Sequence, residues 1–153
     1  PGSMLRYPET LSARYTRGGC PVYDEDATWA FSTALPIING AVAAGVERSG
    51  LRNVALLDIS TVLDGHRLCE TGVSQVAQGG RPSWQQPGAS GRLEWVNRLS
   101  LGRQPWGVEE SWHPNHWGVA AIRGCILQAI RGEPLALARC TSARDKLHVR
   151  WVR

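Results

Sequence analysis

Apolar positions recur at helical spacing in two stretches of the chain. In residues 26–48, Trp29, Thr33, Ile37, Ala41 and Ala44 follow one another by four, four, four and three, the repeat of one helix face. Asp24 or Asp26 is a candidate cap, and Gly50 a stop. Pro36 lies inside this run and should kink or split the helix, because proline has no N–H and its ring meets the carbonyl four residues back. The second stretch is residues 115–131. There Val119, Ile122, Ile126, Ala129 and Ile130, with Cys125, recur at spacings of three and four, which predicts one buried face. Asn115 stands where a side-chain oxygen can cap the helix, and Gly132-Glu133-Pro134 stops it.

Strand patterns are fewer. Val54-Ala55-Leu56-Leu57 is a short continuous apolar run, and residues 53–59 are expected to form a strand of a parallel sheet covered on both faces. Ligands of open α/β sheets gather at the carboxyl ends of strands, so Asp58, His66 and Arg67 fall on the side where a site would lie. Asp58 has the alternative role of a turn-capping carboxylate. For His66 a structural hydrogen bond in its loop is the favoured reading. Residues 135–139 and 146–152 alternate, with Leu147, Val149 and Trp151 on one face, and read as a β-hairpin. Leu5-Arg6-Tyr7 precedes Pro8, which pushes Tyr7 toward extended geometry. Residues 71–108 are rich in glycine, proline, glutamine and serine, with a hint of a short helix at 93–99. A connection this long is usually functional, here as a wall or lid. One parallel-type strand cannot satisfy its own backbone. The chain must therefore pair with another polypeptide, self-associate, or complete its sheet with the hairpin and the Leu5–Tyr7 segment.

Composition narrows the class. With 153 residues, 42% of them hydrophobic, the chain is long enough for one domain with a real core and too apolar for disorder. No uninterrupted apolar run reaches the ~18 residues of a membrane helix, so no membrane span is expected, and no secretory signal is visible. Pro1-Gly2-Ser3 reads as a tag remnant ahead of Met4. The formal charge of +4 is spread along the sequence; without a basic stripe or a recognisable module it points to solvated surface and no nucleic-acid partner. Four cysteines, none in a Cys-x-x-Cys pair, argue against a zinc knuckle or a thioredoxin-type motif and fit two disulfides in one of three connectivities, or a reduced, buried set. No metal or cofactor is implied.

The chemistry gathers in Glu109-Glu110-Ser111-Trp112-His113-Pro114-Asn115-His116-Trp117-Gly118, directly before the second helix. An imidazole with a carboxylate three residues upstream is the general-base half of a nucleophilic site. The carboxylate fixes the tautomer and stabilises the protonated ring, and histidine titrates near working pH. The plainer reading makes His113 a loop histidine and Glu110 a helix-approach carboxylate. Of seven tryptophans, Trp84, Trp95, Trp106, Trp112 and Trp117 surround this block. They either wall a cleft, with Trp112 and Trp117 against a substrate, or pack a loop-rich region.

The segment Glu110–Gly118 resembles the last conserved block of the SGNH (GDSL-type) esterase and lipase family, especially its secreted actinobacterial branch, where the catalytic histidine sits in an acidic-x-x-His-Pro-Asn-x-x-Gly context. Val54-Ala55-Leu56-Leu57-Asp58, followed by Leu63-Asp64-Gly65-His66-Arg67-Leu68-Cys69-Glu70, looks like that branch's late strand and its Gly-His-x-Leu-Cys loop, and Trp95-Val96-Asn97 fits the same pattern. The family's Gly-Asp-Ser nucleophile and its glycine and Gly-x-Asn-Asp oxyanion blocks are absent, so the likeness is to the C-terminal half. It implies a partial SGNH-like (flavodoxin-like) three-layer α/β fold over residues 5–132, after a start segment at 1–4, with a hairpin extension at 133–153.

The resemblance further implies a secreted or extracytoplasmic hydrolase of small-molecule esters. His113 with Glu110 would be general base for a serine brought by a complementing N-terminal half or another chain, and Asp58, His66, Trp112 and Trp117 would lie at the substrate. The alternative is a repurposed or non-catalytic binding or assembly module of the same descent, a homo-oligomer being one form. An ordinary esterase using Ser111 or Ser60 is disfavoured, since neither stands in a nucleophile-elbow context. The likeness also pairs Cys20 with Cys69, and sequence proximity pairs Cys125 with Cys140.

Overall fold

A computed structural model of the chain describes residues 4–10, 12–75, 87–99, 110–131, 138–143 and 146–151. The fold is mixed α/β. Its elements are helices α1 (Asp24–Trp29), α2 (Leu35–Ser49) and α3 (His116–Arg131) and strands β1 (Leu57–Thr61), β2 (Ala138–Ala143) and β3 (Lys146–Trp151), with a π-helical turn at Ser12–Gly18. The chain divides into two compact units, Pro1–Ala27 with Gly65–Val119 and Thr28–Asp64 with Ala120–Arg153.

The helix at 26–48 forms, and Pro36 neither breaks nor ends it. A π-helical stretch, Ala30–Ala34, joins α1 to α2, and the Leu35 N–H donates to the Ala30 carbonyl five residues back. Widening the ladder just before Pro36 takes up the bond that proline cannot donate. At the other end Gly50 adopts φ 63° and its N–H reaches the Glu47 carbonyl, the left-handed stop its position predicts. The result is a continuous 26-residue helix, Asp24–Ser49, containing an 18-residue window of mean hydropathy 1.4 with none of it buried. The helix is long and apolar enough to cross a membrane by length and composition alone, criteria that a core helix or a signal sequence also meets. Thr28, Ser32, Thr33 and Asn39 interrupt the apolar run, yet Ala27 to Val46 contain no charge.

In the second unit the hairpin forms and completes the sheet. β1 lies parallel to β2, with Leu57 opposite Ala138 and Asp58 opposite Arg139, and β2 pairs antiparallel with β3. The strand sits further along than its apolar run suggested. Val54 is 41% and Ile59 36% exposed, so β1 is not covered on both faces. Register with β2 sets where β1 begins, and the Leu56 carbonyl already accepts the Ala138 N–H. Asp58 therefore lies within the strand and not at its carboxyl end. The Cys125–Cys140 disulfide joins α3 to β2 and decides which side of α3 faces inward. Ala121 and Cys125 are buried, whereas Val119, Ile126 and Ile130 of the expected stripe are exposed.

The first unit is built largely from loop. Met4 and Arg6 exchange backbone hydrogen bonds with Thr71 and Cys69, and Leu5 bridges Glu70 antiparallel, so the Leu5–Tyr7 segment pairs here and not in the three-stranded sheet. The Cys20–Cys69 disulfide, the pairing expected from the resemblance, closes the unit. Gly18 lets the chain pass it, since a Cβ there would stand 2.8 Å from each sulfur. Residues 93–99 are extended and not helical. Their backbone bonds to Ser74, His66, His113 and Gly19, and four apolar residues in so short a run could not tell helix from strand. Of the expected wall or lid at 71–108, residues 76–86 and 100–108 lie outside the described residues.

Candidate functional site

His113 stands on a short backbone ladder. The Trp112 N–H donates to the Asn97 carbonyl at 2.9 Å, the Asn97 N–H to the His113 carbonyl at 2.8 Å, and the Asn115 N–H to the Trp95 carbonyl at 2.9 Å. Val96 and Pro114 are antiparallel partners within it. Next to this ladder α3 begins, capped as its sequence predicts. Asn115 Oδ1 accepts the Trp117 N–H at 3.0 Å and the Gly118 N–H at 3.3 Å, and Asn115 Nδ2 donates to the Glu94 carbonyl at 2.7 Å. Gly118 is required by closeness: a Cβ there would fall 2.3 Å from the Trp95 carbonyl oxygen. One asparagine thus ties helix, ladder and histidine loop together.

Trp112 carries a left-handed φ of 64°, a conformation that costs a bulky residue about 1–2 kcal/mol. Its indole donates to the Gly19 carbonyl at 3.2 Å, which anchors the ring although half its surface is open. The strained residue directly precedes the exposed His113. Glu110 is also exposed, and its backbone carbonyl accepts the His113 N–H at 3.4 Å. No hydrogen bond joins the Glu110 carboxylate to the His113 ring among the described residues, so the contact between them runs through the main chain.

The remaining predicted residues divide. Trp117 is half-buried, meets the His116 ring edge-on at 5.0 Å, and holds its indole N–H in a buried position with no hydrogen-bond partner. His66 is buried. Its ring stacks on Trp95 at 3.8 Å with an interplanar angle of 2°, and Nδ1 donates to the Leu93 carbonyl at 2.9 Å. That is the environment of a structural hydrogen-bonder. Asp58 belongs to the second unit, where it pairs with Arg139 at 2.7 Å and accepts the Ser60 N–H at 2.9 Å. Burial by itself would raise the Asp58 carboxyl, but Ser60 and Arg139 outweigh it and hold the group below the usual aspartate range. Trp84, Trp106 and Glu109 lie outside the described residues.

Sequence reasoning missed the buried ion pair behind the ladder. Glu94 is 1% exposed; it accepts the Arg6 guanidinium at 2.7 Å and the Cys69 N–H at 2.8 Å. Burial raises its carboxyl above the usual glutamate range despite those donors. Arg6 also donates to the Val73 carbonyl. The signal was a lone acid between Leu93 and Trp95. Among the described residues no cluster of histidine, cysteine and carboxylate side chains could hold a metal ion.

No protein-family model, curated protein or solved structure matches the chain.

Proposed function

We propose that this protein carries the general-base half of an SGNH-type serine ester hydrolase, with His113 as the base and a partial three-layer arrangement of that family around it. The observation that supports this reading is the exposed His113 on a hydrogen-bonded ladder, directly between a strained Trp112 and the Asn115-capped α3. A general base needs an accessible ring on a backbone that does not drift. In the proposed reaction the His113 imidazole takes the proton of a serine hydroxyl as its oxygen bonds to the acyl carbon. The resulting imidazolium gives that proton to the departing alcohol. Water then repeats the sequence on the acyl-serine, and the acid leaves. The Glu110 main chain, with or without its carboxylate, orients the loop. Trp112 and Trp117 would meet the acyl or alcohol group, with the Trp117 indole N–H as a donor. The serine stands in no recognisable motif of this chain and would come from a complementing polypeptide segment. The two disulfides support an oxidising, extracytoplasmic setting for the proposed reaction.

The test is labelling with a fluorophosphonate probe and hydrolysis of p-nitrophenyl esters, alone and with candidate complementing chains. Ester hydrolysis lost by a factor of about a hundred or more in His113→Ala is the expected result. Activity that survives the substitution sinks the proposal. A second reading, an assembly module without catalysis, is favoured by the uncovered apolar helix; failure of every complementing chain to yield labelling or hydrolysis would select it.

A further inference from the structure

The helix Asp24–Ser49 has an apolar surface that none of the described residues covers. Eight consecutive residues, 35 to 42, are exposed. They span two turns, so no side of the helix is shielded there. Ile37 is 66% and Ile38 56% exposed, and no charge occurs from Ala27 to Val46. A helix apolar on all sides belongs inside a covering. The strand that follows it, β1, touches α2 and is paired on one edge by β2, with no strand on its other edge among the described residues.

A bilayer is the wrong covering. The Cys20–Cys69 disulfide joins the chain before the helix to the chain after it. A crossing by residues 27–46 would oblige a second crossing before Cys69. That return segment holds Glu47, Arg48, Arg52, Asp58 and Asp64, and its strand is bonded to β2; irregular, charged backbone does not cross lipid. A helix lying in the membrane surface wants a lysine- and arginine-rich polar face, whereas this one opens on Asp24-Glu25-Asp26 and has no cation before Arg48.

We propose that the α2 surface and the adjoining β1 edge form the interface with a second copy of this chain. Both features are self-complementary. A neutral apolar helix meets its twin without like-charge repulsion, and a strand edge unpaired among the described residues can pair antiparallel with itself across a two-fold axis. Trp29, Leu35, Ile37, Ile38 and Val42 together expose on the order of 500 Å² per protomer before the β1 edge is added, against roughly 800 Å² per partner in a standard interface. A Cβ at Gly40 or Gly45 would meet nothing within 4 Å, so the helix backbone can be approached closely. The interface belongs to the second unit and the His113 loop to the first, and the hydrolytic reading is not needed for it.

Sedimentation velocity on the disulfide-intact protein tests the proposal. At micromolar concentration the protein should run at twice the monomer mass, and Ile37→Glu and Ile38→Glu should each weaken association by about tenfold or more. Both positions are exposed, so the variants should keep both disulfides and the circular dichroism of the parent. A monomeric parent protein overturns the proposal, as does association unchanged in both variants. Co-flotation of the parent with phosphatidylcholine vesicles overturns it in favour of lipid.

Discussion

At the scale of single residues, the site depends on one asparagine more than on the histidine it supports. Asn115 accepts two helix N–H groups and donates across to Glu94. Asn115→Ala should cost about 1 kcal/mol for the lost cap. The Glu94 carbonyl would be left without its side-chain donor, adding about as much again. The check is a urea titration in which the midpoint falls and the slope does not change; an unchanged midpoint would mean that the cap carries no weight. This residue was legible in the sequence, because capping is a local rule written in the residue type and the onset of the periodic run. Gly50 was legible for the same reason. Glu94 was not, since burial of a lone acid depends on Arg6 and Cys69, which are far away in sequence and announce nothing locally. Trp112 was equally silent, for no residue type signals a left-handed tryptophan.

Among elements, the β1–β2 pairing is held by a ladder and by the Asp58–Arg139 ion pair across it. Arg139 is 61% exposed, so screening limits the pair to about 0.5 kcal/mol. Asp58 is held below its ordinary range, so its contribution is fully present above the unfolded aspartate value. It is lost as pH falls through the lower, folded value. Asp58→Asn should therefore be less stable than the parent near neutral pH, and the two unfolding curves should converge in acid. A gap that stays constant across the acid range would exclude this origin. Glu94 works in the opposite sense: its carboxyl is raised by burial, so its contribution holds below the unfolded glutamate value and fades as pH rises through the folded one. Elements were read well where the pattern is long or strictly alternating, as in the two helices and the hairpin. They were read poorly where packing decides. Periodicity told which residues of α3 are apolar, but the Cys125–Cys140 bond turned Ala121 and Cys125 inward and left Ile130 outside.

For the whole molecule, the buried apolar residues among those described are mostly small. The largest fully buried side chains are Glu94, Val62, Cys69, Cys125 and Cys140. Three of these five are half-cystines and one is an acid, so hydrophobic burial alone is a weak support and cross-links take a larger share. Each disulfide restrains the unfolded chain in proportion to the logarithm of the loop it closes. The separation is 15 residues for Cys125–Cys140 and 49 for Cys20–Cys69, which gives about 3 and about 4 kcal/mol in the chain-entropy model. Together these approach the whole stability of a typical domain, roughly 5–15 kcal/mol. Replacing Cys125 and Cys140 by serine should therefore destabilise measurably but leave a folded protein. Replacing Cys20 and Cys69 should cost more, because the longer loop is released and the Cys69 turn, to whose backbone Arg6 and Glu94 bond, loses its anchor. Full reduction should abolish the cooperative thermal transition. The measurement is calorimetry of both double variants and of the parent with and without reductant. A parent that melts identically in reductant would show that the core suffices without its cross-links, and would remove the physical basis for placing this protein in an oxidising compartment.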